Sequence, residues 1–370
     1  MNKPNCICLL AAVLFIVAGP AFAEKNVIDV QYKSLPANYE TLLKSEPQNW
    51  NFRFRPYGSG SSQLWTDPIV ARGALEGSTQ IEGERPTALY VSCDNGGFSI
   101  LVLCVEPGIG KAIAATNALP SPSIEFYFAP GDADNHEPVP YYQFFYGNGE
   151  LRHFPWHEED RTYRTPKPYV SVEEKRLPNG YLVKITVPWR PFFDKLPFSG
   201  KNDNIWRLSM IRWVDGGRTW GGVVHEESRA GYIRFPAFTD AQRAEIMTAL
   251  LEQAWTEFNR QSGLAQYNAA GGWAAPVVRT EPYVTEVVAQ RPRTYVNYGE
   301  DPEFKPVLAK IVADRKALAS GIAGFAEMAP DAQLDFYTKA SDMLFNFKYD
   351  VEEAYARHLE DGLFGLPGGK

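Results

Sequence analysis

Two histidines four residues apart are the first residues whose spacing could do chemistry. On a helix, His153 and His157 would share one face and could hold a metal ion, with three acidic residues at 158–160 beside them. Pro155 lies between them, however, and the segment follows a predicted hairpin strand. A loop or strand is the better prediction, and a solvated polar loop is the favoured interpretation. The sequence leaves metal binding undecided here, as it does at His225.

The short motifs that mark nucleotide-binding and acyl-transfer enzymes are absent from the sequence. It has no GxGxxG fingerprint after a strand, no Walker loop and no GxSxG elbow. Paired carboxylates could cleave glycosidic bonds, but 44 acidic residues give no means of choosing a pair. We therefore expect no catalytic residue and no cofactor, while a glycan hydrolase or lyase stays an open alternative.

Aromatic residues are the most informative class, at 14% of the chain with nine tryptophans. A sugar offers a flat face of C–H groups and a rim of hydroxyls, so its site needs exposed aromatic plates and polar groups around them. Trp206 and Trp255 fall in apolar patterns typical of core positions. Trp65, Trp156 and Trp220 lie in polar or glycine-rich, loop-like contexts, where ligand contact is an alternative to burial.

The N-terminus has the pattern of a secretory signal peptide. Lys3 supplies the positive charge, residues 8–19 are almost wholly apolar, and an Ala-Phe-Ala run at 21–23 predicts cleavage before Glu24. The apolar run is too short for a membrane-spanning helix. We expect a secreted or periplasmic protein without membrane insertion. The net charge of −7 and the lack of a basic block argue against a nucleic-acid partner.

Short alternating segments indicate an antiparallel sandwich between residues 87 and 235. On residues 123–128, Ile124, Phe126 and Phe128 share one face, and the even spacing recurs at 181–187. Asp-Asn-Gly-Gly at 94–97 and Gly-Asn-Gly at 147–149 predict hairpin turns. From these patterns we divide the mature chain into a sandwich at 24–238 and a helical region at 239–370.

The helical region begins with a capping box. Thr239 and Gln242 are placed to satisfy the first backbone donors of a helix, and apolar residues then recur at helical spacing up to residue 258. Two further helices are predicted at 306–326 and 331–359. Their apolar stripes must be buried against the sandwich, each other or a partner protein.

Cys93 and Cys104 remain after signal removal. The turn at 94–97 would place Cys93 opposite Phe98 and Cys104 opposite Thr87, too far apart along one ladder for a disulfide. Two buried thiols are the favoured interpretation, unless the turn is not a simple hairpin.

An ordered set of strand segments resembles the family 9-like carbohydrate-binding modules over about residues 85–238. The segments are Thr-Ala-Leu-Tyr-Val-Ser-Cys-Asp at 87–94, Ser-Ile-Glu-Phe-Tyr-Phe-Ala-Pro-Gly at 123–131, Tyr-Leu-Val-Lys-Ile-Thr-Val-Pro-Trp at 181–189, and Trp-Arg-Leu-Ser-Met-Ile-Arg at 206–212 followed by Thr-Trp at 219–220. The resemblance implies a mainly β fold, an immunoglobulin- or jelly-roll-like antiparallel β-sandwich followed by a helical C-terminal segment. It also implies a tryptophan pair that clasps a sugar, matched here by Trp220 and Trp65, with Arg212 and Glu125 at polar positions.

The sequence thus predicts a secreted, non-catalytic carbohydrate-binding protein, accessory to polysaccharide recognition or degradation. Its partner would be an oligo- or polysaccharide, with Trp220, Trp65, Trp156, Arg212 and Glu125 as binding residues. On this hypothesis, Trp220→Ala abolishes glycan retention without unfolding the protein. A haem-binding electron-transfer domain on the same sandwich is the alternative, with Met210 as axial ligand, although core packing is favoured for that residue.

Overall fold

A computed structural model describes most of the sandwich and most of the helical region. The described residues are 26–56, 68–77, 85–107, 109, 121–131, 141–155, 169–199, 204–214, 216–221, 230–261, 267–268, 272–273, 302–345 and 351–364. The strands are β1 (Val27–Asp29), β2 (Gln31–Tyr32), β3 (Arg55–Pro56), β4 (Thr87–Cys93), β5 (Gly97–Val105), β6 (Ser123–Pro130), β7 (Tyr142–Gly147), β8 (Glu150–Phe154), β9 (Ser171–Leu177), β10 (Gly180–Pro188), β11 (Ile205–Arg212), β12 (Arg218–Trp220), β13 (Gly231–Arg234), β14 (Tyr267–Asn268) and β15 (Gly272–Trp273). The helices are α1 (Leu42–Ser45), α2 (Pro68–Glu76), α3 (Asp240–Gln261), α4 (Lys305–Ala323), α5 (Pro330–Phe345) and α6 (Val351–Phe364).

Two sheets form a sandwich. The larger sheet has the order β1-β13-β11-β6-β7-β8, with β12 on β11 and β3 on β12, and the smaller one has the order β2-β4-β5-β10-β9. Pairing is antiparallel except at β1–β13 and β2–β4. The predicted mainly β sandwich with a helical C-terminal segment is confirmed.

The main core lies between the sheets and follows the predicted alternation. Ile124, Phe126 and Phe128 of β6 point into it, as do four alternate residues of β10 from Tyr181 to Val187. Phe98 contacts several aromatic rings edge-on, among them Trp206 at 5.4 Å between centroids. Because successive side chains of a strand point to opposite sides, each of these strands turns one of its two faces to this core.

A second core covers the far side of the smaller sheet. Leu43, Trp50 and Phe52 from the N-terminal segment pack there against Leu101 and Leu182, among others. The segment is also held by Glu46, which accepts hydrogen bonds from Lys33, Tyr90 and Asn49. Burial alone would raise the pKa of Glu46, but these donors outweigh it and lower the pKa below its ordinary value.

The hairpins have the predicted turns. Asn148 and Gly149 both have positive φ, 54° and 75°, which is the geometry of a type I′ turn between β7 and β8. The β4–β5 register pairs Cys93 with Phe98 and Cys104 with Thr87, as predicted. Both cysteines are free and buried, and burial raises their pKa values to about 12 and about 11.

The helices pack on the sandwich and share its main core. Helix α3 starts at the predicted capping box: the Thr239 backbone N–H donates to Gln242 Oε1 at 2.8 Å, and the Gln242 N–H donates to Thr239 Oγ1 at 3.3 Å. Tyr337 of α5 is buried, stacks on Phe193 at 4.6 Å and donates to its carbonyl at 2.7 Å. The apolar side chains of the described C-terminal helices are therefore buried mostly against the rest of this chain.

The predicted helix at 331–359 is described as two segments, and residues 346–350 between them lie outside the described residues. The structure has two helices there, α5 ending at Phe345 and α6 beginning at Val351. Toward its C-terminal end α6 exposes Leu363 and Phe364. None of the described helices combines the length and apolar character needed to span a membrane.

Candidate functional site

The side of the larger sheet that faces away from the sandwich core carries polar side chains in register, and we call it the outer face. Its first row crosses four strands through Ile211, Glu125, Phe145 and Arg152. A second row runs through Ser209, Tyr127, Gln143 and Phe154, and a third through Tyr232, Arg207, Ala129 and the neighbouring Tyr141.

The second and third rows are polar yet shielded from solvent. Arg207 and Ser209 are fully buried, and Tyr127 is 1% exposed. The outward side of an antiparallel sheet usually meets water, so burial of these hydrogen-bonding groups is unusual. This part of the outer face is therefore buried, and Arg207 and Ser209 lie there beside a small apolar cluster that includes Tyr127, Ala129 and Ile211.

Ser209 forms a short hydrogen-bonded chain in the second row. Its Oγ lies 2.8 Å from the Tyr127 hydroxyl and 2.9 Å from the Gly221 carbonyl oxygen. A serine has one hydroxyl proton, and the carbonyl can only accept, so Ser209 donates to Gly221 and Tyr127 donates to Ser209. The tyrosine ring is fixed by this chain and by an edge contact with Tyr141 at 5.6 Å.

At one end of the outer face, Trp213 presents an exposed aromatic plate. It is 41% exposed, and its indole N–H donates to Glu125 Oε2 at 3.0 Å. The other carboxylate oxygen of Glu125 accepts from Gln143 Nε2 at 2.6 Å. One carboxylate thus fixes both the indole ring and a neighbouring amide.

The carboxamide oxygen of Gln143 is a buried acceptor. Because the amide nitrogen donates to Glu125, the oxygen is directed away from that carboxylate. Gln143 is 5% exposed, and its Oε1 accepts no hydrogen bond within the part of the chain that the structure describes. A buried acceptor without a donor costs about 1–3 kcal/mol.

Glu125 is the one predicted site residue that the structure places at this end of the outer face. Trp65 and Trp156 lie outside the described residues. The expected exposed plate at Trp220 is corrected, because its ring is fully buried and its indole N–H donates to Asn51 Oδ1 at 3.2 Å. Strand parity explains this burial, since Trp220 pairs with Met210, which faces the core.

Arg212 also faces inward rather than lining a rim. It pairs with Ile124 on the core side, and its guanidinium donates to carbonyl groups of Pro86 and Val105 and to Glu106. These acceptors belong to the smaller sheet or its flanking residues. The expected polar contact with a ligand is therefore replaced by a bond between the two sheets.

The remaining predicted candidates take ordinary structural positions. Met210 is fully buried in the core, as its apolar neighbours indicated. His153 lies on strand β8 and stacks on Phe144 at 4.7 Å, whereas His157 is outside the described residues. Among the described residues, no three His, Cys, Asp or Glu side chains form a group suited to a metal ion.

Trp213 and Gln143 were not singled out from the sequence, although a signal for the tryptophan was present. Ile211 faces outward and Arg212 inward, so continuing the alternation by one residue puts Trp213 on the outer face beside Glu125. The pattern could not show that Trp213 is exposed, because exposure depends on which segments cover this end of the sheet.

No family model and no curated protein matches the sequence. Among solved structures, the chain is similar to a carbohydrate-binding module of family 9 from Caldicellulosiruptor kristjanssonii in complex with glucose, with 14% identity, a TM-score of 0.34, and coverage of 58% of this chain and 98% of that one. A family 9 module from the same organism in complex with cellotriose has 15% identity and a TM-score of 0.34, and the match covers 58% of this chain and 96% of that one. A structure described as a putative carbohydrate-binding protein from Bacteroides uniformis ATCC 8492 has 11% identity and a TM-score of 0.32, and the match covers 57% of this chain and 100% of that one. The sandwich fold itself is defined by the sheet topology described above.

Proposed function

We propose that this protein binds carbohydrate at the end of the outer face marked by Trp213, Glu125 and Gln143. The observation that carries the proposal is an exposed indole ring whose N–H is fixed by the partly exposed carboxylate of Glu125. A sugar ring offers C–H groups to stack on the indole and hydroxyl groups to donate to the carboxylate. The resemblance of the strand segments to family 9-like modules supports the same ligand class.

Fixing the indole through Glu125 favours binding. A tryptophan that is already held in one orientation loses little side-chain entropy when a sugar stacks on it. Glu125 also holds the Gln143 amide, so the plate and the acceptor keep a constant relative position. The site would suit neutral sugars, because Glu125 would repel an anionic one placed close to it.

As part of the same proposal, the protein acts outside the cytoplasm as a non-catalytic accessory to polysaccharide recognition or degradation. The signal-peptide pattern before Glu24 supports export. Binding should be modest in strength, because one aromatic stack contributes only about 0.5–1.5 kcal/mol beyond the area buried.

The test is calorimetric titration of the purified protein with neutral oligosaccharides, including cello-, xylo- and manno-oligosaccharides. We expect Trp213→Ala to weaken binding about tenfold or more, because it removes the stacking plate. Trp213→Phe keeps an aromatic ring but loses the hydrogen bond to Glu125, so its affinity should lie between those of Trp213→Ala and the wild type. Phe364→Ala removes an exposed aromatic ring on helix α6 and should bind like the wild type.

Equal affinity of Trp213→Ala and the wild type would contradict the location of the site. If no oligosaccharide or insoluble glycan binds the wild type at all, the proposed function itself is wrong. Release of reducing ends during the titration would instead favour the enzyme alternative.

A further inference from the structure

The pair formed by Trp213 and Glu125 continues across the larger sheet in two further outer-face residues. Trp213, just after β11, donates to Glu125 of β6. Glu125 lies directly opposite Phe145 of β7, and Phe145 lies opposite Arg152 of β8. We call these four residues the cross-strand line. Because neighbouring strands are about 4.8 Å apart, the line extends about 14 Å from β11 to β8.

Phe145 brings a second aromatic ring to this surface. It is partly exposed, and among the described residues it belongs to none of the buried apolar clusters. A Cβ on Gly147 would lie 2.8 Å from Cε1 of Phe145, so the ring lies against the surface that this glycine leaves open. The position of the ring on the outer face is therefore set by the sheet, while the core does not bury it.

The two rings are level with each other and two strands apart. The Trp213 backbone N–H donates to the Ser123 carbonyl, and Ser123 in turn pairs with Gly147, against which the Phe145 ring lies. Two strand spacings separate the backbones of β11 and β7 by about 10 Å. Glu125 is on β6, between the two rings.

Polar groups alternate with the rings along the cross-strand line. The Glu125 carboxylate is partly exposed, and its two oxygens can accept more hydrogen bonds than the two from Trp213 and Gln143. At the far end, the Arg152 side chain is 67% exposed, and its Glu150 partner, 3.9 Å away, is 73% exposed. An exposed ion pair of this length contributes little to stability, so both groups can bond to sugar hydroxyls.

We propose that the cross-strand line binds an extended chain of β-1,4-linked sugars that lies across the strands and engages at least three units. This inference rests on the proposed function and names the ligand class of that same site. In an extended β-1,4-linked chain each unit advances by about one strand spacing, and every second unit turns the same face to one side. A unit stacked on Trp213 would place the next over Glu125 and the third on Phe145. A fourth unit reaches Arg152.

The experiment is calorimetric titration of the purified protein with cello- and manno-oligosaccharides of one to five units. Malto-oligosaccharides of the same lengths are the isomeric controls, because an α-1,4-linked chain curls and cannot lie along a flat surface. We expect the affinity for at least one β-1,4-linked series to rise about tenfold or more between two and three units, without such a rise in the malto series.

An affinity that is equal from one to five units, or an equal rise in the malto series, would overturn this inference and leave the proposed function standing. Absence of binding by every sugar would instead count against the proposed function itself.

Variants assign the gain at the third unit to Phe145. Phe145→Ala should weaken binding of the three-unit chain tenfold or more, to about the affinity of a two-unit chain, whereas Phe145→Tyr keeps the ring and should retain the gain. Trp213→Ala should weaken chains of every length. Phe364→Ala, which removes an exposed ring on α6, is the matched control. Binding of the three-unit chain by folded Phe145→Ala with wild-type affinity would overturn the proposal, and the wild-type length series decides it even if that variant fails to fold.

Discussion

Arg212 ends strand β11 on its core-facing side, where its guanidinium joins the two sheets. Its side chain is 3% exposed, and Glu106 is its ion-pair partner. A guanidinium presents five donors in a rigid fork, so one residue can satisfy several carbonyl groups at the end of a sheet. The same residue type on the outer face would have been available to a ligand, which is why strand parity decides its role.

The first prediction is that Arg212→Met lowers the free energy of unfolding by several kcal/mol, because the carbonyl groups of Pro86 and Val105 lose their donor and each such loss costs about 1–3 kcal/mol, while Glu106 keeps Arg85 as its second partner. Urea denaturation measures the change. Arg234→Met is the matched control: Arg234 pairs with Asp29, but both side chains are more than half exposed, so its stability should match the wild type. If Arg212→Met kept its stability and lost sugar binding, the ligand role implied by the family resemblance would be restored.

At the scale of elements, the hairpin between β4 and β5 packs closely against β10. Two adjacent glycines lie at its turn but meet different surroundings. A Cβ on Gly97 would lie 2.1 Å from the backbone oxygen of Val187, because β10 passes directly beside this position. A Cβ on Gly96 would meet its nearest neighbour, the Asp94 carboxylate, at 3.4 Å.

We therefore expect Gly97→Ala to destabilise the protein by about 1–3 kcal/mol, since the backbones of β5 and β10 must separate. Gly96→Ala should change the free energy of unfolding by no more than about 0.5 kcal/mol. Thermal and urea unfolding of the two variants, made in parallel, measure the difference. Equal losses in both would mean that the turn, rather than the approach of β10, sets the requirement for glycine.

Local sequence signals determined much of the fold. Strands buried on one side alternate, as β6 and β10 do, and the turn at 147–149 has the residues that positive φ requires. Thr239 and Gln242 marked the start of α3 through side-chain chemistry alone. These features are predictable because each depends on residues that are neighbours along the chain.

Other elements could not be predicted because their signals are not local. Edge strand β9 carries Glu173, Glu174, Lys175 and Arg176, which protect an edge from pairing but hide the alternation of a strand. Residues 346–350, between α5 and α6, contain no glycine or proline, so the sequence carries no local signal of a helix end there. The site depended on distant segments in the same way: the burial of Trp220 depends on its pairing with β11 and on Asn51, 169 residues away.

For the whole molecule, the decisive feature is that sandwich and helices share one core. Residues of α3, α4 and α5, including Ile246, Leu308 and Leu344, belong to the same buried cluster as Phe98 and Trp206. Two units with separate cores could unfold separately, whereas a shared core couples them.

Tyr337→Ala tests this coupling. Tyr337 is 3% exposed, and its hydroxyl and ring both contact Phe193, so truncation should cost about 3–5 kcal/mol. Far-ultraviolet circular dichroism follows the helices, while thiol labelling of Cys93 and Cys104, mapped by mass spectrometry, follows opening of the sandwich. A shared core predicts that both signals shift together to lower urea in Tyr337→Ala, whereas Phe364→Ala leaves both in place. Loss of helical signal while the two thiols stay protected would mean that the helices are a separable unit.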